Sequence, residues 1–162
     1  MSARAAWRLE GLRFPRVYRY APGKADWLAA GLPTEGSRAS TLRAGAVARM
    51  DVPTCSPDDQ VAHAARRTRD AGWDTCVVVN NEQIVLGRVR GRALDTTDQR
   101  RVEEVMEEGP TTTRADDPVD ALVARMRPRR VTQMLVTDPD GRLLGVLRLN
   151  DAEQALSQSR VG

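Results

Sequence analysis

The sequence predicts an α/β (α+β) fold made of two β-α-β-β-α units packed face to face with pseudo-two-fold symmetry, preceded by a short helix-strand-helix segment. Three observations carry this expectation. A stretch of about forty residues beginning at Pro53 recurs, without a gap, 58 positions later from Thr111. Within each copy the apolar residues first keep a helical period and then run in short strands. A chain of 162 residues also buries about 70% of its unfolded surface, enough for one core shared between two halves. Self-similarity of this kind marks a duplicated unit that buries its apolar face against its twin, and two copies suit a closed pair better than an open solenoid.

The elements follow in order. Met50 and Met106 stand ahead of the copies, each with a Pro-Thr step soon after it, at Pro53-Thr54 and Pro110-Thr111. Ser56, Pro57, Asp58 and Asp59 read as a helix start, a capping hydroxyl with acids near the positive end of the dipole. Val61, Ala64, Ala65, Thr68 and Ala71 then share a face, and Gly72 ends the helix. In the second copy Asp117 is the expected cap and Pro118 the first helical residue. Val119, Leu122, Val123 and Met126 form the stripe, and Pro128 stops it. Cys76–Val79 and Met134–Thr137 read as strands, each turning back into a second one through Asn80-Asn81 or through Asp138–Gly141. Gly87 and Gly145 occupy the same place in those return strands, and a second helix is expected after each hairpin. Glu103, Glu104, Glu107 and Glu108 surround Val102, Val105 and Met106 as on the solvated face of a helix.

From about Arg43 to Leu156 this pattern of methionine, Pro-Thr, helix, hairpin and late glycine resembles a tandem pair of CBS domains, a Bateman module. The expected boundaries are 1–42 for an N-terminal extension, 43–103 for the first repeat and 104–160 for the second. The resemblance implies two symmetry-related clefts and, as ligand, an adenosine-containing compound of the AMP, ATP or S-adenosylmethionine class. It also implies a homodimer through CBS helices and a regulatory role with no catalysis and no required cofactor.

Ahead of the repeats, Ala3–Leu12 reads as an amphipathic helix and Arg16–Tyr20 as a strand. Gly23, Trp27, Gly31, Leu32 and Pro33 resemble the end of a rhodanese domain. In that family the sulfur-carrying cysteine lies in a loop before the helix that Ala3–Leu12 would represent. The segment is thus expected to be a truncated, inactive remnant, since a sulfurtransferase needs a thiolate in a nest of backbone N–H groups and neither Cys55 nor Cys76 stands there.

Composition narrows the classes further. The chain holds 25 basic and 22 acidic residues, a net charge of +3, with only 4% aromatic residues, so the core must come from Val, Leu, Ala and Met. The charge is concentrated before residue 50, and the repeats are mildly acidic, which argues against nucleic acid. Two cysteines and one histidine make neither a disulfide framework nor a zinc site. No run approaches the ~20 apolar residues that cross a bilayer, and a reducing cytoplasm is the expected compartment.

The resemblance assigns the ligand residues. Where the family places a glycine, a hydroxyl and then an acid that accepts the ribose diol, the second copy has Gly145, Arg148 and Asp151. A carboxylate at a helix start accepts two vicinal hydroxyls at once, although Asp151, or Asn150 beside it, would equally serve as a helix cap. Arg148 offers a guanidinium to phosphate or simply faces solvent. In the first copy the matching residues are Gly87, Arg90 and Ala93, so the acid is missing. The expected cleft therefore uses Asp151, Arg148 and Asn150, the backbone of Val131, Thr132 and Gln133 beside the base, and Thr111 or Thr112 at its edge. A ligand-free scaffold for dimerisation or partner binding is the alternative.

Overall fold

The computed structural model describes residues 9, 11–14, 16–17, 24–29, 32, 41–95 and 97–159. The helix expected over Ala3–Leu12 and the strand over Arg16–Tyr20 fall mostly outside them, as do Gly23, Gly31 and Pro33. Within the extension, Lys24–Ala29 forms helix α1.

The expected mixed α+β architecture is present. After α2 (Ala44–Val47) come β1 (Thr54–Cys55), α3 (Val61–Asp70), β2 (Thr75–Val79), β3 (Val85–Arg90) and β4 (Glu107–Glu108), then β5 (Thr112–Arg114), α4 (Val119–Met126), β6 (Gln133–Thr137), β7 (Leu143–Arg148) and α5 (Leu149–Ser159). One sheet has the order β1-β2-β3-β4 and the other β5-β6-β7. In both, the first pair is parallel and the second antiparallel.

The duplication extends to the registers. Thr54 faces Val77 as Thr112 faces Leu135, Thr75 faces Arg90 as Gln133 faces Arg148, and the irregularity at Val78/Val79 recurs at Val136/Thr137. Because side chains alternate along a strand, β2 sends Cys76 and Val78 into its own helix-covered core with Val61, Ala64 and Val89. It sends Val77 and Val79 the other way, into a cluster with Leu135, Val146, Val52 and Trp73 that both copies share. The halves are joined at their tips as well. Val85 N–H donates to the Gly141 carbonyl at 3.0 Å and Leu143 N–H to the Gln83 carbonyl at 2.9 Å, a reciprocal pair.

The segment before each copy packs on the other copy. Ala44 lies in the core of the second with Val119, Met126 and Leu147, while Val102 lies in the core of the first. This crossing explains where the helices begin. The expected caps do not act: α3 starts at Val61 and α4 at Val119, with Gln60 and Pro118 as N-cap residues that give no side-chain hydrogen bond. Asp59 and Asp117 instead close the preceding turns, their carboxylates accepting the Ser56 and Arg114 N–H groups at 3.0 and 3.1 Å. The first free N–H groups of the helices, which need acceptors, donate to the crossing segments, Val61 to the Arg100 carbonyl and Val119 to the Leu42 carbonyl, both at 3.0 Å.

Two further expectations are corrected. The hairpin of the first copy leads into a single 3-10 turn at Gly91–Ala93, and not into a full helix like α5. The acidic stretch also forms no helix: Val102–Glu104 is a 3-10 turn, and Glu107–Glu108 pairs with the edge of β3, where Glu107 meets Arg88 and Arg90.

Candidate functional site

A cleft of about 550 Å³ opens where the two copies meet, and Asp151, Asn150, Arg148, Thr132 and Gln133 line it from the second copy. Their convergence is a matter of local chain geometry. Gln133 opens β6 opposite Arg148, the last residue of β7. The Leu149 N–H donates to the Thr132 carbonyl at 2.9 Å, fixing the start of α5 beside the start of β6. Asp151 is then the third residue of α5, in its first turn, near the N–H groups and positive end of the dipole. It is not the residue that caps the helix, and no hydrogen bond among the described residues occupies its half-buried carboxylate.

The first copy supplies Gly72, Trp73 and Asp74. Gly72 ends α3 with φ +69, a left-handed conformation that glycine adopts freely. The turn lets the Trp73 N–H donate to the Thr68 carbonyl at 2.9 Å and sets its ring on the cleft wall, 6% exposed. The Arg148 guanidinium stacks on that ring at 3.8 Å from the centroid, and Arg49 approaches it at 5.3 Å, a cation–π arrangement. Arg148 Nε is buried with no hydrogen-bond partner. Trp73 Nε1 has no well-formed hydrogen bond either, only a weak interaction with the Asp51 carboxylate. The Asp51 hydrogen bond and charge, with a smaller pull from Asp151, hold the Arg49 guanidinium above its ordinary value, and Asp51 is lowered in turn.

Shifting these positions by 58 leads to a second cleft of about 600 Å³, with Arg90, Arg130 and Val131 in the places of Arg148, Gly72 and Trp73. No acid faces it at position 93, where an alanine stands. Arg88 and Arg90 clamp Glu107 at 2.9 and 3.0 Å. The Arg90 hydrogen bond foremost, with Arg88, holds that carboxyl below its ordinary value against the cost of burial.

Of the residues expected from the sequence, Asp151, Arg148, Asn150, Thr132 and Gln133 line the first cleft, while Val131 lines the second. Thr111 and Thr112 are exposed at the start of β5 and line neither. Sequence reasoning missed Trp73, Asp74 and Arg49. The signal was available: subtracting 58 from Val131 gives Trp73, its counterpart across the pseudo-two-fold.

Comparisons with known proteins agree with this geometry. Residues 102–158 match the family model described as CBS domain. An uncharacterised protein of Methanopyrus kandleri is 25% identical over 70% of the chain, and the inosine-5'-monophosphate dehydrogenase of Methanocaldococcus jannaschii 27% identical over 67%. The matches span 62% and 22% of the length of those two relatives. Among solved structures, the cytosolic domain of the Mg2+ channel MgtE in complex with ATP superposes with a TM-score of 0.63 at 23% identity, covering 72% of this chain and 50% of that one. CBSX2, a CBS-pair protein from Arabidopsis thaliana, in complex with AMP gives 0.63 at 17% identity, covering 73% and 98%. A CBS domain pair in complex with 5-methylthioadenosine and S-adenosyl-L-methionine gives 0.62 at 17% identity, again covering 73% and 98%. Among the described residues no helix is long and apolar enough to cross a membrane. Residues 102–158 thus match the CBS domain family, and the two copies together have the fold of a CBS-domain pair.

Proposed function

We propose that this chain is a non-enzymatic regulatory module that binds an adenosine-containing ligand, of the AMP, ATP or S-adenosylmethionine class, in the cleft beside Asp151. The observation that carries the reading is the unoccupied carboxylate of Asp151 in the first turn of α5, facing a hollow that both copies wall. Its two oxygens suit a ribose diol. The volume falls in the range of small-molecule sites, and structures of the same fold are complexes with ATP, AMP and S-adenosyl-L-methionine. In operation the ligand wedges between the halves and shifts the balance between two packings, which requires that it bind one of them better. Cytoplasmic residence and a homodimer formed through the CBS helices belong to the same proposal.

Thermal or chemical unfolding tests it. An adenosyl compound at 100 times its dissociation constant stabilises the fold by ~2.7 kcal/mol, and Asp151→Ala abolishes that gain while the unliganded protein stays folded. Absence of any shift with AMP, ATP and S-adenosylmethionine favours the second reading, a scaffold for dimerisation or partner binding. One specific observation supports that scaffold: Arg148 lies on Trp73 inside the cleft, where a ligand's base or phosphate would have to displace it.

A further inference from the structure

Both cysteines of the chain lie in one place and line neither cleft. Cys55 ends β1 and pairs with Val78 of β2, while Cys76 stands two residues before Val78 and so on the same strand face. The two side chains are diagonal neighbours under α3, in the core with Val61 and Ala64, and the Cys55 S–H donates to the Cys76 sulfur. That bond foremost, with Thr68 and the Arg67 charge behind it, eases proton loss at Cys76 against the cost of burial, while the Cys55 thiol holds its proton. Cys55 also lines a hollow of about 330 Å³ with Arg67 and Asp59, on the outer side of the pair. The second copy carries Thr113 and Met134 at the same register, so the fold itself does not call for thiols there.

We propose that Cys55 and Cys76 form a peroxide-responsive dithiol that closes reversibly into a disulfide within the first copy. Once the pair has lost one proton, the two sulfurs share the other. The Cys55 sulfur, on the side of the hollow, attacks one oxygen of the peroxide. The O–O bond breaks, and the departing hydroxide takes up the released proton as water. The Cys76 thiol then attacks the Cys55 sulfenic acid, forming the S–S bond, and its proton leaves with the hydroxyl as a second water. The two sulfurs have given up two electrons, and one peroxide has become two waters. Diagonal neighbours stand farther apart than directly paired residues, so closure shifts β1 along β2, and a dithiol reductant opens the bond again. The turn that follows Cys55 passes the shift on. Its Pro57 and Asp59 carbonyls accept the Glu103 and Val102 N–H groups at 3.0 and 2.9 Å, so the segment covering the first core moves with β1.

Treatment of the whole chain with hydrogen peroxide, followed by mass spectrometry and a count of free thiols in denaturant, tests this. Wild type is expected to lose two hydrogens and both thiols without forming a cross-linked dimer, and dithiothreitol to restore them. Cys55→Thr, which copies Thr113, and Cys76→Ala should each fail to lose the two hydrogens while keeping the circular dichroism spectrum. Peptide mapping of oxidised wild type reads the same bond without either variant. In the oxidised protein, amide exchange at Val102 and Glu103 should quicken roughly tenfold. Thiols that stay free in the folded protein, or bonds between chains in place of the internal one, overturn the proposal. A disulfide that leaves those two amides unchanged overturns the transmission to the covering segment.

Discussion

Gln83 and Gly141 occupy the same position in the two hairpins and both have positive φ, 64° and 86°. Their carbonyls accept the reciprocal bonds that join the copies, so the conformation is fixed by the pairing and not by the residue. Glycine adopts it at no steric cost, whereas a side chain pays about 1–2 kcal/mol. Gly141→Ala is therefore expected to destabilise by roughly 1 kcal/mol through backbone strain, because a Cβ there would meet only the Ile84 Cγ2 atom at an ordinary 3.7 Å. Gln83→Gly is expected to be neutral or mildly stabilising in the same denaturation series, since the strain removed is offset by a more flexible unfolded chain. At this scale the place of Asp151 beside a cleft was legible, because a repeat aligned to a familiar pattern points to one position. Trp73 was reachable only through the repeat offset from Val131, and Arg49 not at all, because it lies ahead of the repeated stretch and acts on the other copy.

Among the elements, the return strands show why each carries a glycine. A Cβ at Gly145 would lie 2.7 Å from the Arg49 carbonyl oxygen, and one at Gly87 would lie 2.9 Å from that of Glu107. In both cases the crossing segment pairs closely alongside the strand, Glu107–Glu108 with β3 and Arg49 with Val146 through two backbone hydrogen bonds of 2.9 Å each. Gly145→Ala should force Arg49 off β7, costing about 1–3 kcal/mol as overpacking does. It should also loosen the Arg49–Trp73–Arg148 arrangement, so urea denaturation and tryptophan fluorescence of the variant would change together. An unchanged midpoint would mean that the crossing segment yields without loss. The aligned glycines were visible in the sequence, but their cause was not, since it lies in a chain segment from the other copy. The misplaced helix caps have the same origin. Ser56 and Asp117 have the right chemistry for caps, yet carbonyls of Arg100 and Leu42 reach the helix N–H groups instead.

For the molecule as a whole, the repeat made the fold class readable because two similar apolar faces have few ways to hide except against each other. The residues confirm that economy: Val77, Val79, Leu135 and Val146 form the shared cluster with Val52 and Trp73. What periodicity could not supply was the exchange of covering segments, with 42–49 lying on the second copy and 98–108 on the first. Neither half is consequently a self-contained folding unit, although each looks like one when the chain is read in a line. A fragment beginning at Glu104 would have no Ala44 to fill its core and no Leu42 carbonyl for Val119. Expressed alone, it is expected to stay unfolded or to associate with a second fragment, and light scattering would register which. A folded monomer from that fragment would show that the borrowed wall is dispensable.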